Sequence, residues 1–252
     1  MPKQSAKIKA VERSFEIVDL LATSDASGAT DIAERLDIPI STVHDHLQTL
    51  TDLGYLIKQE GRYRVSTRFL EIGSQRKYNM DFFQTAKPEL QKLARQTGEH
   101  ANLMIEEDSR GVILHTESGE DAVKLLSPPG TRLHFHTTAV GKAILAYLPE
   151  QTVEEILDRF GLPVMTENTI TERAELFEEL DRIRERGYAT DREEKVKGFH
   201  GVGVPILDYE DEVLGAIGVY GPSERIRGER LEKEIPDLLT KSRNLIEVNV
   251  NY

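Results

Sequence analysis

"IPISTVHDHLQTLTDLGYL", Ile38 to Leu56, contains the clearest helix pattern in the first part of this chain. Val43, Leu47 and Leu50 recur at steps of three and four residues, which places their side chains on one side of a helix. Gly54 follows where the end of a helix requires a positive φ. The stretch therefore predicts a helix that Ser41 caps or begins, with one apolar side packed against a core.

The neighbouring segments predict two more helices and a hairpin. Apolar residues at helical spacing indicate an amphipathic helix over residues 8–23, and "TDIAERL", residues 30–36, indicates a second one before a tight turn at 37–39. "YLIKQEGRYRVS", residues 55–66, predicts two short strands around Glu60 and Gly61, with Arg62 and Arg64 on one face. Three helices followed by such a hairpin predict a winged helix-turn-helix domain over residues 1–65.

In a winged helix the third helix enters the major groove of DNA, while the wing contacts phosphates or the minor groove. The candidate DNA-binding residues are Ser41, Thr42, His44, Asp45, Gln48, Thr49, Arg62 and Arg64. A carboxylate at Asp45 can accept a hydrogen bond from cytosine N4, and Gln48 can pair with adenine. The alternative for Asp45 is a pairing with Arg62 or another nearby cation. We expect Asp52 to be ordinary solvated surface, and a winged helix that docks on protein is the alternative for the whole domain.

Charge is divided unevenly along the chain. The 252 residues include 32 basic and 44 acidic residues, for a formal net charge of −12. The first 79 residues carry 11 of each sign, so the whole acidic excess lies in the remainder. This division indicates two modules with different partners, of which only the first tolerates a polyanion.

Composition excludes several classes of protein. The chain has no cysteine, which excludes disulfides, thiolate metal sites and cysteine nucleophiles. No stretch approaches the roughly 20 apolar residues of a membrane span. We therefore expect a cytoplasmic protein without membrane contact, and no pattern in the sequence predicts a cofactor.

The remainder of the chain predicts an α+β fold with a mostly antiparallel sheet. A linker helix is expected over residues 66–80, followed by the second module over residues 81–252. Helices are expected near 83–97, 138–148, 151–160, 172–186 and from about 224, and strands near 101–106, 111–116, 122–126, 201–207 and 213–220.

Three segments of this module carry chemistry. "LHFHTTAVGKAILAYL", residues 133–148, predicts a strand and then a helix whose free N–H groups, beside Thr hydroxyls, would hold a carboxylate or phosphate. The alternative is that Thr137 or Thr138 only caps this helix. "YATDREEKVKGFHGVGVPI", residues 188–206, ends a strand at Asp191, and its glycines permit close backbone approach. "VLGAIGVYGP", residues 213–222, places Gly218 and Tyr220 on the same side of a strand.

Taken together, these segments resemble the IclR family of transcriptional regulators, from about Ile8 to about Arg243. The matching segments are "STVHDHLQTLTDLGYL", "GRYRVS", "HTTAVGKAILA", "GYATDREEKVKGFHGVGVPILD" and "VLGAIGVYGP". The resemblance implies a DNA-binding domain joined by a helix to a GAF/profilin-like effector domain that binds a small metabolite, often a carboxylate or aromatic acid. It also implies a homodimer or tetramer on a pseudo-palindromic operator, and we expect dimer contacts along the helix at 8–23 and near Leu90 and Leu93.

The resemblance also implies positions for the effector site. These are Thr138, Ala139, Val140, Gly141 and Asp191 as ligand contacts, with Gly201, Gly218 and Tyr220 lining the pocket. The resemblance implies that members binding short keto-acids have a cysteine where this chain has Gly201, and small hydroxyl residues where it has Gly218 and Tyr220. This chain therefore departs from the pattern of a glyoxylate-like site. Asp45 stands where many members carry arginine, which implies fewer phosphate contacts.

Two other classes of protein compete with this interpretation. His134 and His136 would share one face of a strand, and with His100, His115 or His200 they would form a zinc site for a metal sensor or hydrolase. Asp191, Glu193 and Glu194 would form a catalytic carboxylate pair, although acidic runs in such an acidic chain are usually solvated. The chain contains no serine elbow, P-loop or GxGxxG loop, so we expect no enzyme.

Overall fold

The computed structural model describes residues 8–24, 27–124 and 127–250. The chain divides into two compact units, with the boundary after Asn79.

The first unit is a winged helix-turn-helix, as predicted. It contains α1 (Lys9–Ala22), β1 (Ser27–Gly28), α2 (Ala29–Leu36), α3 (Ile40–Asp52), β2 (Leu56–Gln59), β3 (Arg62–Val65) and α4 (Arg68–Tyr78). The three strands form an antiparallel sheet in the order β1-β3-β2. Val43 and Leu47 of α3 are fully buried against Ile17 of α1 and Ile32 of α2, so the predicted apolar side of α3 faces this core.

The ends of α3 differ in how well they were predicted. Gly54 adopts the expected positive φ of 78°. The helix begins at Ile40 with Pro39 as its N-cap residue, and the proline ring fixes φ at −54° there. Ser41 therefore lies within the first turn, and the prediction that it caps or begins the helix is wrong by one residue.

The second unit is an α+β domain built on one six-stranded sheet. Its elements are α5 (Asp81–Thr97), β4 (His100–Glu107), β5 (Arg110–Ser118), β6 (Arg132–Leu133), α6 (Ala139–Leu145), α7 (Glu150–Phe160), α8 (Arg173–Arg186), β7 (Ala189–Arg192), β8 (Phe199–Leu207), β9 (Val213–Pro222) and α9 (Ile235–Val250). Every strand pairing is antiparallel, in the order β6-β5-β4-β9-β8-β7.

Helices cover both faces of this sheet. α5 and α9 pack on one face, and α6 packs on the other with α7 and α8 behind it. Leu90 and Leu93 of α5 are fully buried in the core of the first face. The expectation that they form dimer contacts is therefore wrong, because their periodicity reflects packing within the unit.

Three predicted elements take another form. No strand forms at 122–124, and the rest of that predicted strand, 125–126, lies outside the described residues. The strand predicted through His136 ends at Leu133, and Phe135–Thr137 is a 3-10 turn. The last helix starts later than predicted, with a π-helical segment at Arg230–Glu234, because Arg225 is held by the buried carboxylate of Glu99 and Ile226 is buried.

Two glycines let α6 approach the sheet closely. A β-carbon on Gly203 would lie 2.7 Å from the backbone of Ala139, and one on Gly218 would lie 2.4 Å from Cγ1 of Val140. Real contacts of this kind are essentially never so short, so side chains at these positions would push the helix away. The glycines of β8 and β9 therefore set the distance between the sheet and the start of α6.

None of the helices within the described ranges is both long and apolar enough to cross a bilayer.

Candidate functional site

The first candidate site is the outer face of α3. Ser41, His44, Asp45, Gln48 and Thr49 are exposed, and Thr42 is half-buried. The structure therefore places all six predicted α3 residues on or beside one accessible face. Such a face is the part of a helix-turn-helix that reaches base edges.

Two hydrogen bonds organise this face. Nε2 of Gln48 donates to Oδ1 of Asp52 over 2.7 Å, which leaves the amide oxygen of Gln48 free to accept. Oγ1 of Thr49 donates to the carbonyl of Asp45 over 2.8 Å. Asp52 is thus more than solvated surface, since its carboxylate orients Gln48.

The wing carries two exposed arginines on β3. Arg62 and Arg64 point away from Tyr63, which is buried in the core. No carboxylate within the described ranges lies within 4.0 Å of either guanidinium, and the same ranges offer no cation at that distance from the Asp45 carboxylate. The alternative in which Asp45 pairs with Arg62 is therefore not found in this structure.

The second candidate site is a pocket in the second unit, in which about 500 Å³ of space, including the opening to solvent, is free of protein atoms. It lies between the face of the sheet that α6 covers and the segment that follows β7. Its walls include the predicted residues Thr138, Ala139, Val140, Asp191, Gly201 and Tyr220, together with Asn102, Ser127, Lys195 and His200.

Asp191 lies at the buried side of this cavity next to an ion pair. Lys142 of α6 is 1% exposed and is paired with the buried carboxylate of Glu194. Oδ1 of Asp191 accepts from the N–H of Glu194 over 2.8 Å. Burial, followed by the negative charge of Glu194, raises the pKa of Asp191 to about 7, although Lys142 and the backbone N–H groups oppose this shift. Asp191 therefore exchanges a proton near neutral pH.

Lys195 provides a cation at the cavity wall. Its Nζ donates to Oγ of Ser127 over 3.2 Å, which leaves two further N–H donors. Burial lowers the pKa of Lys195, and the carboxylate of Asp191 partly offsets that effect. A poorly hydrated ammonium of this kind interacts strongly with an incoming anion.

The start of α6 supports only part of what was predicted there. Oγ1 of Thr138 accepts from the N–H of Gly141 over 3.0 Å, so Thr138 is the N-cap residue of α6. Oγ1 of Thr137 donates to the carbonyl of His134. Thr138, Ala139 and Val140 border the cavity, whereas Gly141 does not, because it packs against the backbone of Phe135.

The predicted pocket residues of the sheet separate into two groups. Gly201 and Tyr220 border the cavity. Gly218 is instead covered by Val140, so its small size serves the packing of α6 and not a cavity wall. Tyr220 stacks on the ring of His100, with centroids 4.9 Å apart, and burial raises its pKa to about 12.

The histidines of the zinc alternative are not brought together. Nε2 of His100 bonds to the carbonyl of Val123, Nε2 of His115 to Glu117, Nε2 of His136 to the carbonyl of Pro163 and Nδ1 of His200 to the carbonyl of Ile226. His134 and His136 are 5.8 Å apart between centroids and lie on the 3-10 turn and its cap, not on a strand face. Within the described residues no three metal-ligating side chains cluster.

The acidic run of the enzyme alternative has another role. Asp191 and Glu194 are buried, at 9% and 7% exposure, so the expectation of a solvated run is wrong for both. Glu193 is half-buried, with a φ of 65°. Glu194 is committed to Lys142, so these carboxylates form a charge network and not an equivalent pair.

Sequence reasoning missed Lys142, Lys195 and Asn102. A lysine inside the small and apolar run "AVGKAILA" was a usable signal, because a charged residue on a buried helix requires a partner. No local signal marks Asn102 or Lys195. The position of β4 in the sheet brings Asn102 to the cavity, and Lys195 lies in the segment between β7 and β8 that borders it.

Comparison with known families agrees with the division into two units. Residues 10–60 match the family described as IclR helix-turn-helix domain. Residues 76–246 match the family described as Bacterial transcriptional regulator IclR C-terminal.

Relatives and solved structures match along nearly the whole chain. The HTH-type transcriptional regulator BhcR of Paracoccus denitrificans is 34% identical over 245 residues, covering 96% of this chain and 88% of that protein. The crystal structure of IclR from Thermotoga maritima is 29% identical, covers 97% of this chain and 99% of its own, and superposes with a TM-score of 0.83. An IclR homolog from Microbacterium hydrocarbonoxydans in complex with 4-hydroxybenzoate has the same fold, with a TM-score of 0.80 at 23% identity and coverage of 96% and 98%. The matched proteins are regulators and not enzymes, and this chain belongs to the IclR family of bacterial transcriptional regulators.

Proposed function

We propose that the protein regulates transcription by binding an operator through α3 and the wing, and that a small carboxylic acid in the cavity of the second unit changes this binding. Residues 1–65 form the DNA-binding domain in this proposal, residues 66–80 the linker helix and residues 81–252 the effector and oligomerisation domain. The observation that carries it is the combination of an exposed face on α3, two exposed arginines on the wing of the same unit, and a cavity in the second unit bordered by Lys195 and Asp191.

The first unit supports contact with double-stranded DNA through a small number of directed groups. Arg62 and Arg64 are free to meet phosphates, while Asp45 and the amide oxygen of Gln48 present acceptors to base edges. Because the unit has no net positive charge, base contacts carry a larger share of the affinity than in a strongly basic domain.

A pseudo-palindromic operator requires two copies of the chain. α1 supports such pairing, because Ile8, at its N-cap, Val11 and Phe15 form an exposed apolar stripe at helical spacing. We propose a homodimer, or a tetramer built from dimers, in which two α3 helices meet successive major grooves.

The cavity supports an anionic ligand. Lys195 offers two free N–H donors, and Asp191 with its pKa near 7 is able to take up a proton when an anion arrives. The 4-hydroxybenzoate complex of the Microbacterium homolog makes aromatic acids the first probes to try. Allosteric coupling between two sites is typically about 1–3 kcal/mol, and we expect a value of this size between the cavity and the DNA site.

The test begins with genomic fragments retained by the pure full-length protein. Fluorescence anisotropy of a labelled retained fragment, with and without candidate acids, then measures affinity and coupling. Arg62→Ala should weaken binding to all sequences alike and should reduce, by about one, the slope of log K against log salt concentration. Arg182 is an exposed arginine of the second unit, so Arg182→Ala should change neither the affinity nor that slope. The proposal fails if the folded protein binds no duplex at any ionic strength.

A further inference from the structure

A second pocket of the second unit lies apart from the cavity bordered by Asp191 and Lys195. It contains about 240 Å³ of space, including its opening to solvent, and its walls include the buried side chains of Phe135, Leu145 and Leu157. None of the described residues borders both pockets. Pockets for small organic molecules usually measure roughly 300–1,000 Å³, so this one suits a smaller occupant.

The polar wall of this pocket contains Arg110 and His134. Nη1 of Arg110 donates to Nε2 of His134, and Nη2 donates to the carbonyl of Arg132, each over a long distance of 3.4 Å. The Phe160 ring centroid lies 5.0 Å from the guanidinium carbon. Nε of Arg110 is buried and has no partner within the described residues. We call this site, lined by Arg110, His134 and Phe160, the arginine pocket.

Arg110 has no counter-ion in the part of the chain that the structure describes. Two carboxylates lie nearby on the turn between β4 and β5, but Glu107 is paired with Arg132 and Asp108 with Arg159. Within the described ranges no carboxylate comes within 4.0 Å of an ionisable group of the arginine pocket. A guanidinium that is partly removed from water without an opposite charge is unfavourable, so the pocket lacks a partner for Arg110.

The electrostatic surroundings of the arginine pocket are positive. Burial lowers the pKa of Arg110, and Arg132 lowers it further. Burial and then Arg110 lower the pKa of His134. Burial also lowers the pKa of His136, another residue of this pocket, to about 4; its hydrogen bond to a backbone carbonyl opposes this, and the charges of His134 and Lys142 add to it. No described carboxylate contributes to any of these shifts, so the pocket favours a negative charge.

The hydrogen-bonding groups of the pocket are mainly donors. A guanidinium only donates, so Nε2 of His134 accepts from Arg110 and the proton of the neutral ring is on Nδ1. Nε–H of Arg110 and Nδ1–H of His134 are therefore left to donate. Nε2 of His136 donates to the carbonyl of Pro163, so this ring supplies a further donor only when Nδ1 is also protonated. Such a set of donors matches an anion and not a cation.

Chloride fits these groups better than an oxyanion does. Apart from Arg110 and the histidines, the pocket is bordered mainly by apolar side chains, which are those of Phe135, Leu145, Ile156, Leu157 and Phe160. A phosphate or carboxylate would turn some of its oxygen atoms toward these side chains, where they would have no donor. Chloride carries a single charge, accepts hydrogen bonds without a preferred direction and requires few of them.

We propose that the arginine pocket is a chloride-binding site. Arg110 is the first residue of β5, His134 is the N-cap residue of the 3-10 turn that leads into α6, and Phe160 is the last residue of α7. A chloride ion bound to Arg110 and His134 therefore joins β5 to the turn beside the end of α7. It neutralises the charge of Arg110, so chloride stabilises the second unit beyond the general effect of ionic strength.

The experiment measures chloride binding to the full-length protein by the broadening of the chloride NMR signal. Sodium methanesulfonate keeps the ionic strength constant. The broadening by wild type should saturate as the chloride concentration rises. Arg110→Met removes the charge and the Nε–H donor while keeping an unbranched side chain, so it should reduce the broadening several-fold. Arg227→Met makes the same change at an exposed arginine of the same unit and should broaden the signal as wild type does.

Melting in the two salts keeps the test valid if Arg110→Met is less stable, because each protein is then its own reference. Replacing methanesulfonate by chloride should raise the melting temperature of wild type by about 2–4 °C and that of Arg110→Met not at all. His134→Phe keeps an aromatic ring without an N–H and should lose part of both effects.

Three results would overturn the chloride site. The first is wild-type broadening that does not saturate. The second is broadening that Arg110→Met and His134→Phe both retain, or that Arg227→Met loses as well. The third is displacement of chloride by phosphate at a lower concentration than chloride itself requires, which would show that the pocket selects an oxyanion.

Discussion

The two units use charged residues in opposite surroundings. In the first unit Asp45, Arg62 and Arg64 are exposed to water, and no described residue pairs with their charged groups. In the second unit Lys142 and Glu194 are almost completely buried against each other beside Asp191. Water screens the first set, so these charges contribute little to the fold and, in the proposed function, act when DNA displaces that water. The second set contributes to the fold itself and controls protonation, because the protein interior screens charge poorly.

Removing one partner of the buried pair should have the largest effect. Lys142→Met leaves Glu194 buried and unpaired, which should lower the free energy of unfolding by about 3–5 kcal/mol. Urea denaturation of the full chain measures this change. The double variant Lys142→Met with Glu194→Gln should regain much of the loss, and Lys197→Met, which removes an exposed pairing with Glu167, should have no measurable effect. Equal losses in the single and double variants would contradict a charge-based role.

Asp191 should make the stability of the second unit depend on pH. Its pKa rises from 3.8 to about 7 on folding, so the folded protein binds a proton that the unfolded chain releases. The free energy of unfolding should therefore fall as pH rises from about 4 to about 7. Asp191→Asn should remove this contribution and be more stable than wild type at pH 8 by roughly 2–4 kcal/mol. The measurement is denaturation of both proteins at pH 5 and pH 8.

The control for the pH experiment is Asp108, an exposed carboxylate whose pKa is lowered, whereas that of Asp191 is raised. The Arg159 guanidinium holds the pKa of Asp108 below its usual value, so Asp108 stays ionised throughout this range. Asp108→Asn should leave the difference between pH 5 and pH 8 as it is in wild type. If the free energy of unfolding differs between pH 5 and pH 8 by as much in Asp191→Asn as in wild type, the group that titrates is not Asp191.

Among the exposed charges of the first unit, Asp45→Ala should change selectivity between DNA sequences more than overall affinity for DNA. If the carboxylate accepts from a base edge, its loss should reduce discrimination at one position of each half-site by about 1–3 kcal/mol. Selection of bound sequences from a randomised half-site, by wild type and variant, measures this. Asp31→Ala on α2 is a matched control away from the reading face. An unchanged sequence preference would show that Asp45 does not read a base.

Asp52→Ala should give the smallest effect. It removes the acceptor that orients the Gln48 amide, so Gln48 should tolerate more than one base at its position while overall affinity stays nearly constant. The same selection experiment reports this broadening. Gln48→Ala should abolish the preference at that position, and Asp52→Asn should retain part of it through its remaining acceptor oxygen. If Asp52→Ala changes the base preference at a position other than the one that Gln48→Ala affects, Asp52 does not act by orienting Gln48.

The sequence was informative wherever a structure depends on neighbours along the chain. The spacing of Val43, Leu47 and Leu50, the glycine at 54 and the turn at 60–61 fixed α3 and the wing, because helical periodicity and turn conformation are local properties. The same reasoning placed Thr138 and Asp191 at the cavity, in part through the family resemblance. It failed at the last helix, where the distant carboxylate of Glu99 holds Arg225 in a loop.

Which charges are buried and which polar groups meet depends on packing between distant parts of the chain. Lys142 and Glu194 are 52 residues apart, and Asn102, Gly201 and Tyr220 reach the cavity from three strands whose pairing brings them together. Burial changes the free energy of a charge or a hydroxyl by an amount that composition does not encode, since it depends on what else packs there. For this reason the modules of the protein followed from its sequence, whereas the chemistry of the cavity in the second unit followed from its fold.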